Sequence, residues 1–335
     1  MARVRAILTA LWTAARRESK SVASFTGNNF FLAGIAFAFF GDPGALVLFN
    51  LLIGLILFFP LSTDPQRKIP PERLALWPIS PRERGLLRIL SPWLNPVTWF
   101  LAALAVSRRV TLGLWVLIAS LFAIAFVIPL FPLADRKGLW RSVPPLPGSL
   151  NHLIRKNVRE MLCTLDFYCG LLLSVAALLF RILGLLPREA LLPLTLLVTI
   201  ALSTYTQSLF GLDGEGGLTR YRLLPTSGWQ ILSAKDAAFL MVALVLTLPL
   251  APLAGLAAAL TALAVGHAAS VDGYRDQTRW RFTSAGPIGF GILQMLLMGF
   301  AAGATVYRWW MLAPCVVIYA ASTWSSGRKL EQHEW

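Results

Sequence analysis

Charge is scarce in this chain, and negative charge scarcer still. Only 14% of its 335 residues are charged, with 16 Asp and Glu against 30 Lys and Arg. A soluble domain carries roughly 25% charged residues, so the deficit argues against a conventional water-bathed surface. Cysteine and histidine number three each. Cys163, Cys169 and Cys315 show no metal-ligand spacing and sit in or beside apolar runs, where cysteine packs as a small hydrophobe. His152, His267 and His333 lie far apart, which gives no support to a metal site or a Ser/Cys hydrolase. No G-x-x-x-x-G-K-[ST] phosphate loop occurs, so the chain lacks the P-loop route to ATP hydrolysis. Its N-terminus, Met1 to Lys20, is basic and amphipathic without a sustained apolar core, and no cleaved signal peptide is expected there.

What the chain has in abundance is apolar length: 56% of residues are hydrophobic, in long runs with the charges confined to the gaps. About 20 apolar residues cross a bilayer core as one helix. Every backbone polar group inside hydrocarbon must be satisfied within the chain, which leaves helical bundles or closed barrels. Leu/Ala-rich runs without alternation exclude barrel strands. The expectation is an all-α polytopic transmembrane bundle.

Ten spans are predicted, near 24–40, 45–61, 92–106, 112–133, 165–186, 190–210, 237–251, 253–271, 285–305 and 309–324, with eight to ten the range that the weaker runs allow. The run 237–271 is too long for one crossing, and Pro249, Pro252 and Gly255 place a tight hairpin within it. Cytoplasmic loops retain positive charge. With both termini cytoplasmic, all 30 basic residues fall on that side except Arg108, Arg109, Arg181, Arg188 and Arg308. The net charge of +14 is thereby explained by topology, and no basic helix interleaved with aromatics points to nucleic acid. Two regions follow: 1–149, with an amphipathic N-terminal helix and four spans, and 150–335, with six.

Two cytoplasmic loops echo each other at one offset. Arg73-Leu74-Ala75-Leu76-Trp77-Pro78-Ile79-Ser80 lies over Arg220-Tyr221-Arg222-Leu223-Leu224-Pro225-Thr226-Ser227, and Arg88 over Lys235. Basic amphipathic segments precede both, around Arg16-Arg17-Glu18 and Arg155-Lys156-Asn157-Val158-Arg159-Glu160. The pattern is that of a parallel internal repeat, as found in some transporters.

The arrangement Phe210-Gly211-Leu212-Asp213-Gly214-Glu215-Gly216, then Arg220, Leu223-Leu224-Pro225, Ser227 and Lys235, preceded by a basic amphipathic helix running into Leu165-Asp166-Phe167-Tyr168, resembles permease subunits of ABC exporters of the ABC-2 class. Residues 150–335 match that family's layout: an elbow helix at 150–163, six spans, and a loop at 211–236 between the second and third. Residues 1–149 depart from it with four spans. The resemblance implies a multi-pass protein of a bacterial-type inner membrane, no cofactor of its own, and ATP bound on a cytoplasmic ABC ATPase partner. It implies coupling contacts at Asp213, Glu215, Arg220, Arg222, Pro225 and Lys235. By the echo, Arg73, Pro78, Arg82 and Glu83 join them. The chain pairs as a homodimer on this reading, or forms a pseudo-dimer through its repeat.

The competing reading is a prenyl or phospholipid-type transferase. Asp272 and Asp276 share a helix face at i,i+4 and would hold Mg²⁺ on a diphosphate. Their alternation with Arg275 and Arg279 favours a salt-bridged loop instead. Four intramembrane polar residues stand out. Arg181 is expected to snorkel to the outer face, and His267, with no acid within one turn, to be a packed or interfacial histidine rather than a proton relay. Asn28 and Asn29 are expected to hydrogen-bond across helices.

Overall fold

The computed structural model describes residues 2–18, 28, 29, 33, 77, 79–90, 94, 150–184, 186–213, 220, 221, 226–273, 277, 282, 283 and 288–332. The chain divides into two compact units. One comprises Met1–Ala23 and Gly34–Leu139, the other Ser24–Ala33 and Trp140–Trp335. Among the described residues the regular structure is helical throughout, without a strand.

In the first unit, α1 (Ala2–Glu18) packs on α2 (Pro81–Leu90). Val4 and Leu11 on α1 and Leu87 on α2 are buried, while Trp12 is exposed. A reciprocal cap starts α2: Ser80 N and Oγ donate to the Glu83 carboxylate at 2.9 and 3.0 Å, and Glu83 N returns to Ser80 Oγ at 3.3 Å. Pro81 fits the first helical position, where its missing N–H is no loss. The spans expected at 24–40, 45–61, 92–106 and 112–133 lie outside the described residues, except for 28, 29, 33 and 94.

The second unit begins with α3 (Asn151–Met161), an amphipathic helix burying Asn157, Val158, Glu160 and Met161. Thr164 caps α4 (Leu165–Ile182) by accepting from Phe167 N. A short turn at Arg188–Ala190 leads into α5 (Leu191–Thr206), and a further one, Gly211–Asp213, follows it. Then come α6 (Gly228–Thr247), α7 (Pro252–Asp272), α8 (Ile288–Tyr307) and α9 (Leu312–Gln332). Helix α7 is the hub, packing against α5, α6, α8 and α9, while α3 packs on α6.

Among the described residues five stretches are long and apolar enough to cross a membrane: Leu165–Ile182, Arg188–Thr206, Gly228–Thr247, Pro252–Asp272 and Gly289–Tyr307. Apolar side chains also cover the outside, among them Leu179, Ile182, Val245, Leu296, Phe300 and Val317. A soluble monomer seldom exposes so much apolar surface, and the protein is an integral membrane protein. Exposed Tyr307, Trp309 and Trp310 cluster at the α8–α9 turn, with Arg308 5.6–5.7 Å from the rings of Trp310 and Tyr307. Aromatic residues gather in this way at bilayer interfaces.

The hairpin predicted within 237–271 is present. Helix α6 ends at Thr247, Leu250 N bonds Thr247 O at 3.0 Å, and Pro252 opens α7. A side chain at Gly255 would meet Thr247 Oγ1 at 2.4 Å, so glycine lets the two arms close. The start of α6 differs from expectation: the helix begins at Gly228 rather than near 237. Lys235 and Asp236 lie inside it, fully buried, because each finds a partner of opposite charge or a hydrogen bond within the unit. The connector before α6 therefore ends near Ser227 rather than at 236. The Ser227 backbone N–H donates to the Gln230 side chain at 3.0 Å. The same bond starts α2 at Ser80 and Glu83, so the echo between the two loops extends to how each launches its helix.

Candidate functional site

Among the described residues of the second unit, three polar clusters stand out. The first ties α3, the connector after α5, and α6 together. Asp213 is its centre, with a side chain 1% exposed. One carboxylate oxygen, Oδ1, bonds Lys156 Nζ and accepts from Tyr221 Oη at 2.8 Å. The other, Oδ2, lies 2.8 Å from Lys235 Nζ. Lys235 also donates to Leu209 O at 2.7 Å, and Asn157 Oδ1 stands at 3.4 Å. Lys156 reaches Tyr221 Oη at 2.9 Å and Glu160 at 3.5 Å. The rings of Phe210 and Tyr221 flank the Lys235 ammonium at 5.0 and 5.6 Å, an added cation–π attraction.

Burial alone would raise the Asp213 carboxyl, but Lys235 and Lys156 outweigh it and hold the group below the usual carboxylate range. Burial, and then the adjacent Asp213 charge, pushes the Tyr221 phenol far above its ordinary value, so it stays a donor. Asp213 and Lys235, both named by the resemblance as coupling contacts, are turned onto each other. Arg220 is exposed, beside buried Tyr221. Glu215, Arg222 and Pro225 lie outside the described residues, as do Arg73 and Pro78. Arg82 is exposed on α2, whereas Glu83 is engaged in that helix's cap.

The second cluster is built around Asn28 and Asn29, which do bond across helices as expected. Asn28 Nδ2 donates to Asp166 Oδ1 at 3.0 Å and to Thr283 O at 2.8 Å, and Thr283 N donates to Asp166 Oδ2 at 2.8 Å. Asn29 Nδ2 donates to Ser203 Oγ at 2.8 Å and to Gln294 Oε1 at 2.7 Å. Gln207 Nε2 meets the same Gln294 oxygen at 2.6 Å, and Gln294 Nε2 donates to Thr206 Oγ1 and Ala262 O, both at 2.8 Å. The 28–29 segment, α5, α7 and α8 are thus joined through a single glutamine. Gln294, Ser203 and Gln207 were not anticipated. Gln294 is a single polar residue in an apolar stretch, whereas Ser203 and Gln207 belong to the polar run Ser203-Thr204-Tyr205-Thr206-Gln207-Ser208 that ends α5.

The third cluster surrounds His267, which is packed in the interior. Its ring is fully buried, and an acid does contact it, from another helix: Asp236 Oδ1 stands 3.0 Å from Nε2. Ser322 Oγ lies 3.0 Å from Nδ1, and Tyr319 Oη donates to Asp236 Oδ2 at 3.0 Å. Arg181, exposed near the end of α4, donates to the carbonyls of Pro249 and Leu250 in the α6–α7 turn. Asp272 pairs with Lys329 at 3.3 Å in the open, both about half exposed, and Asp276 lies outside the described residues. Among the described residues no group of three or more His, Cys, Asp and Glu is placed to hold a metal ion.

Comparison with known proteins yields no matching family model, no matching curated protein and no matching solved structure.

Proposed function

We propose that this chain is the permease subunit of an ABC-2-like exporter, moving a substrate across a bacterial-type inner membrane with ATP hydrolysed by a separate cytoplasmic subunit. The observation that carries the reading is the clamp on Asp213. The amphipathic helix α3 precedes six helices, and Lys156 staples it to the connector between the second and third of them. Lys235 ties the same carboxylate to α6. A force applied to the connector therefore reaches α3 and α6 together, which is what a coupling element needs if a partner's motion is to rock the bundle.

On this reading the chain has about ten spans and cytoplasmic termini, in keeping with the distribution of its basic residues. Arg220, with Glu215, Arg222 and Pro225 in the same connector, meets the ATPase, while Asp213 and Lys235 transmit the load. The matching helix starts at Ser80 and Ser227 support an internal duplication. They extend the coupling role to Arg73, Pro78 and Arg82, and favour a pseudo-dimer within one chain.

The substitution Arg220→Glu tests the assignment. Its side chain is exposed, so the fold should tolerate the change and the melting temperature should stay at the wild-type value. Reversal of an interface charge should weaken association with the ATP-hydrolysing partner by about tenfold or more, equivalent to about 1.4 kcal/mol, and lower transport with it. Unchanged association would remove Arg220 from the interface.

A further inference from the structure

The hydrogen bonds around Asp236 and His267 constrain where protons sit, and the count leaves one more than a neutral histidine and an ionised aspartate supply. Ser322 Oγ lies 2.7 Å from Ala264 O. Two oxygens that close must have the hydroxyl proton between them, since otherwise their lone pairs would repel. Ser322 has no second proton to give, so its oxygen accepts from His267 Nδ1, 3.0 Å away. That nitrogen carries a proton.

The other ring nitrogen, Nε2, faces Asp236 Oδ1 at 3.0 Å. Asp236 Oδ2 is already an acceptor for Tyr319 Oη, at 3.0 Å, while the Thr323 hydroxyl lies nearer the carbonyl of Tyr319, 3.0 Å away, than Oδ2, at 3.4 Å. With Nδ1 protonated, a neutral ring would set the bare Nε2 lone pair against a carboxylate oxygen. A second proton must lie on this line, on Nε2 or on Oδ1. Burial leads to the same conclusion. Both side chains are fully buried between α6, α7 and α9. An Asp236 carboxylate beside a neutral ring would put an uncompensated charge inside a membrane bundle, which is costly.

Other charged groups on the surrounding helices are engaged elsewhere. The Lys235 ammonium, one residue away, is held by Asp213 and Leu209 O. Lys156 and Glu160 on α3 belong to that same cluster. Asp272 on α7 pairs with Lys329 on α9, and Asp166 on α4 bonds Asn28 and Thr283. Tyr205 on α5 and Tyr319 on α9 are phenols, and α8 contributes no charged residue.

We infer that Asp236 and His267 form a proton-binding site, one proton bridging Nε2 and Oδ1, and that this proton latches α6, α7 and α9 together. The assignment goes beyond the permease reading and does not rest on it. Losing the proton would turn the bridge into a repulsive contact and leave one net negative charge among three helices. Asp236→Asn preserves the bridge without the extra proton, because the amide donates to a bare Nε2.

Nitrogen NMR of the full chain with ¹⁵N-histidine, in lipid nanodiscs, tests this on the wild-type protein. The His267 signals are identified by their loss in His267→Gln, or by elimination using His152→Gln and His333→Gln should that variant fail to fold. At neutral pH, Nδ1 should carry a proton and Nε2 should be protonated or share one with Asp236. In Asp236→Asn, Nε2 should appear as an unprotonated acceptor. A wild-type His267 whose only proton is on Nε2, with Nδ1 bare, overturns the assignment, as does an Nε2 signal identical in wild type and Asp236→Asn.

Discussion

Replacing Lys235 with methionine should destabilise the protein in detergent by about 3–5 kcal/mol, the usual cost of removing one partner from a buried ion pair. The length and apolar stem of the side chain are kept, so the loss reports the charge. Asp213 would remain 1% exposed with its Oδ2 facing no cation, and Leu209 O would lose its donor. Lys156 and Tyr221 hold only the other oxygen. The double variant Asp213→Leu with Lys235→Met should recover much of the loss, since a buried pair can be exchanged for packed apolar groups at little cost. Acid dependence gives a second readout. The Asp213 carboxyl is held below its unfolded value, so the clamp stabilises the fold fully above the ordinary carboxylate range and is lost as pH falls through the folded value. That acid-sensitive component should shrink in Lys235→Met. A variant as stable as wild type across pH 3–7 would show that the clamp does not hold the connector.

The second large effect is expected at Gly266, where α7 crosses the end of α5. A Cβ there would stand 2.3 Å from Thr206 Oγ1 and 2.6 Å from Thr206 O. The backbone oxygen cannot swing aside, so Gly266→Leu must push the helices apart. Overpacking costs about 1–3 kcal/mol and sometimes more. Here the same displacement pulls Thr206 from Gln294, and with it the bonds from Gln294 to Asn29 and Ala262. The variant should fall at the top of that range or above it, or fail to accumulate in the membrane. Thermal unfolding against Gly299→Leu as a control reads the difference, because nothing lies within 4 Å of a Cβ at Gly299. Equal stability of the two variants would contradict the close crossing.

The helical class and the α6–α7 hairpin were legible because apolar length and proline positions reflect single, local constraints. The start of α6 was not. Charge was read as the mark of an aqueous gap, and Lys235 and Asp236 break that rule by being neutralised inside the unit, one by Asp213, the other beside His267. Partners 22 and 31 positions away leave no periodic trace. The same blindness made His267 look solitary, since an acid on another helix is invisible to a search within one turn. Asn28 and Asn29 were readable as cross-helix donors because two adjacent amides in an apolar run have few other uses. The acceptors of Asn29 carried too little signal: Gln294 is a lone amide in an apolar helix, and Ser203 opens the polar run that ends α5. The echo between the loops was visible as matched prolines and arginines, while the shared helix-starting bonds at Ser80 and Ser227 needed coordinates.

The central claim is that this chain works with an ATP-hydrolysing partner. The most direct measurement is affinity purification of the tagged protein from the membranes of its native host, followed by mass spectrometry and an ATP hydrolysis assay on the eluate. The account predicts a co-purifying soluble protein with a G-x-x-x-x-G-K-[ST] loop, ATP hydrolysis above an untagged control, and loss of both with Arg220→Glu while the tagged chain stays folded. A folded, monodisperse preparation with no nucleotide-binding protein and no hydrolysis above the control would contradict it.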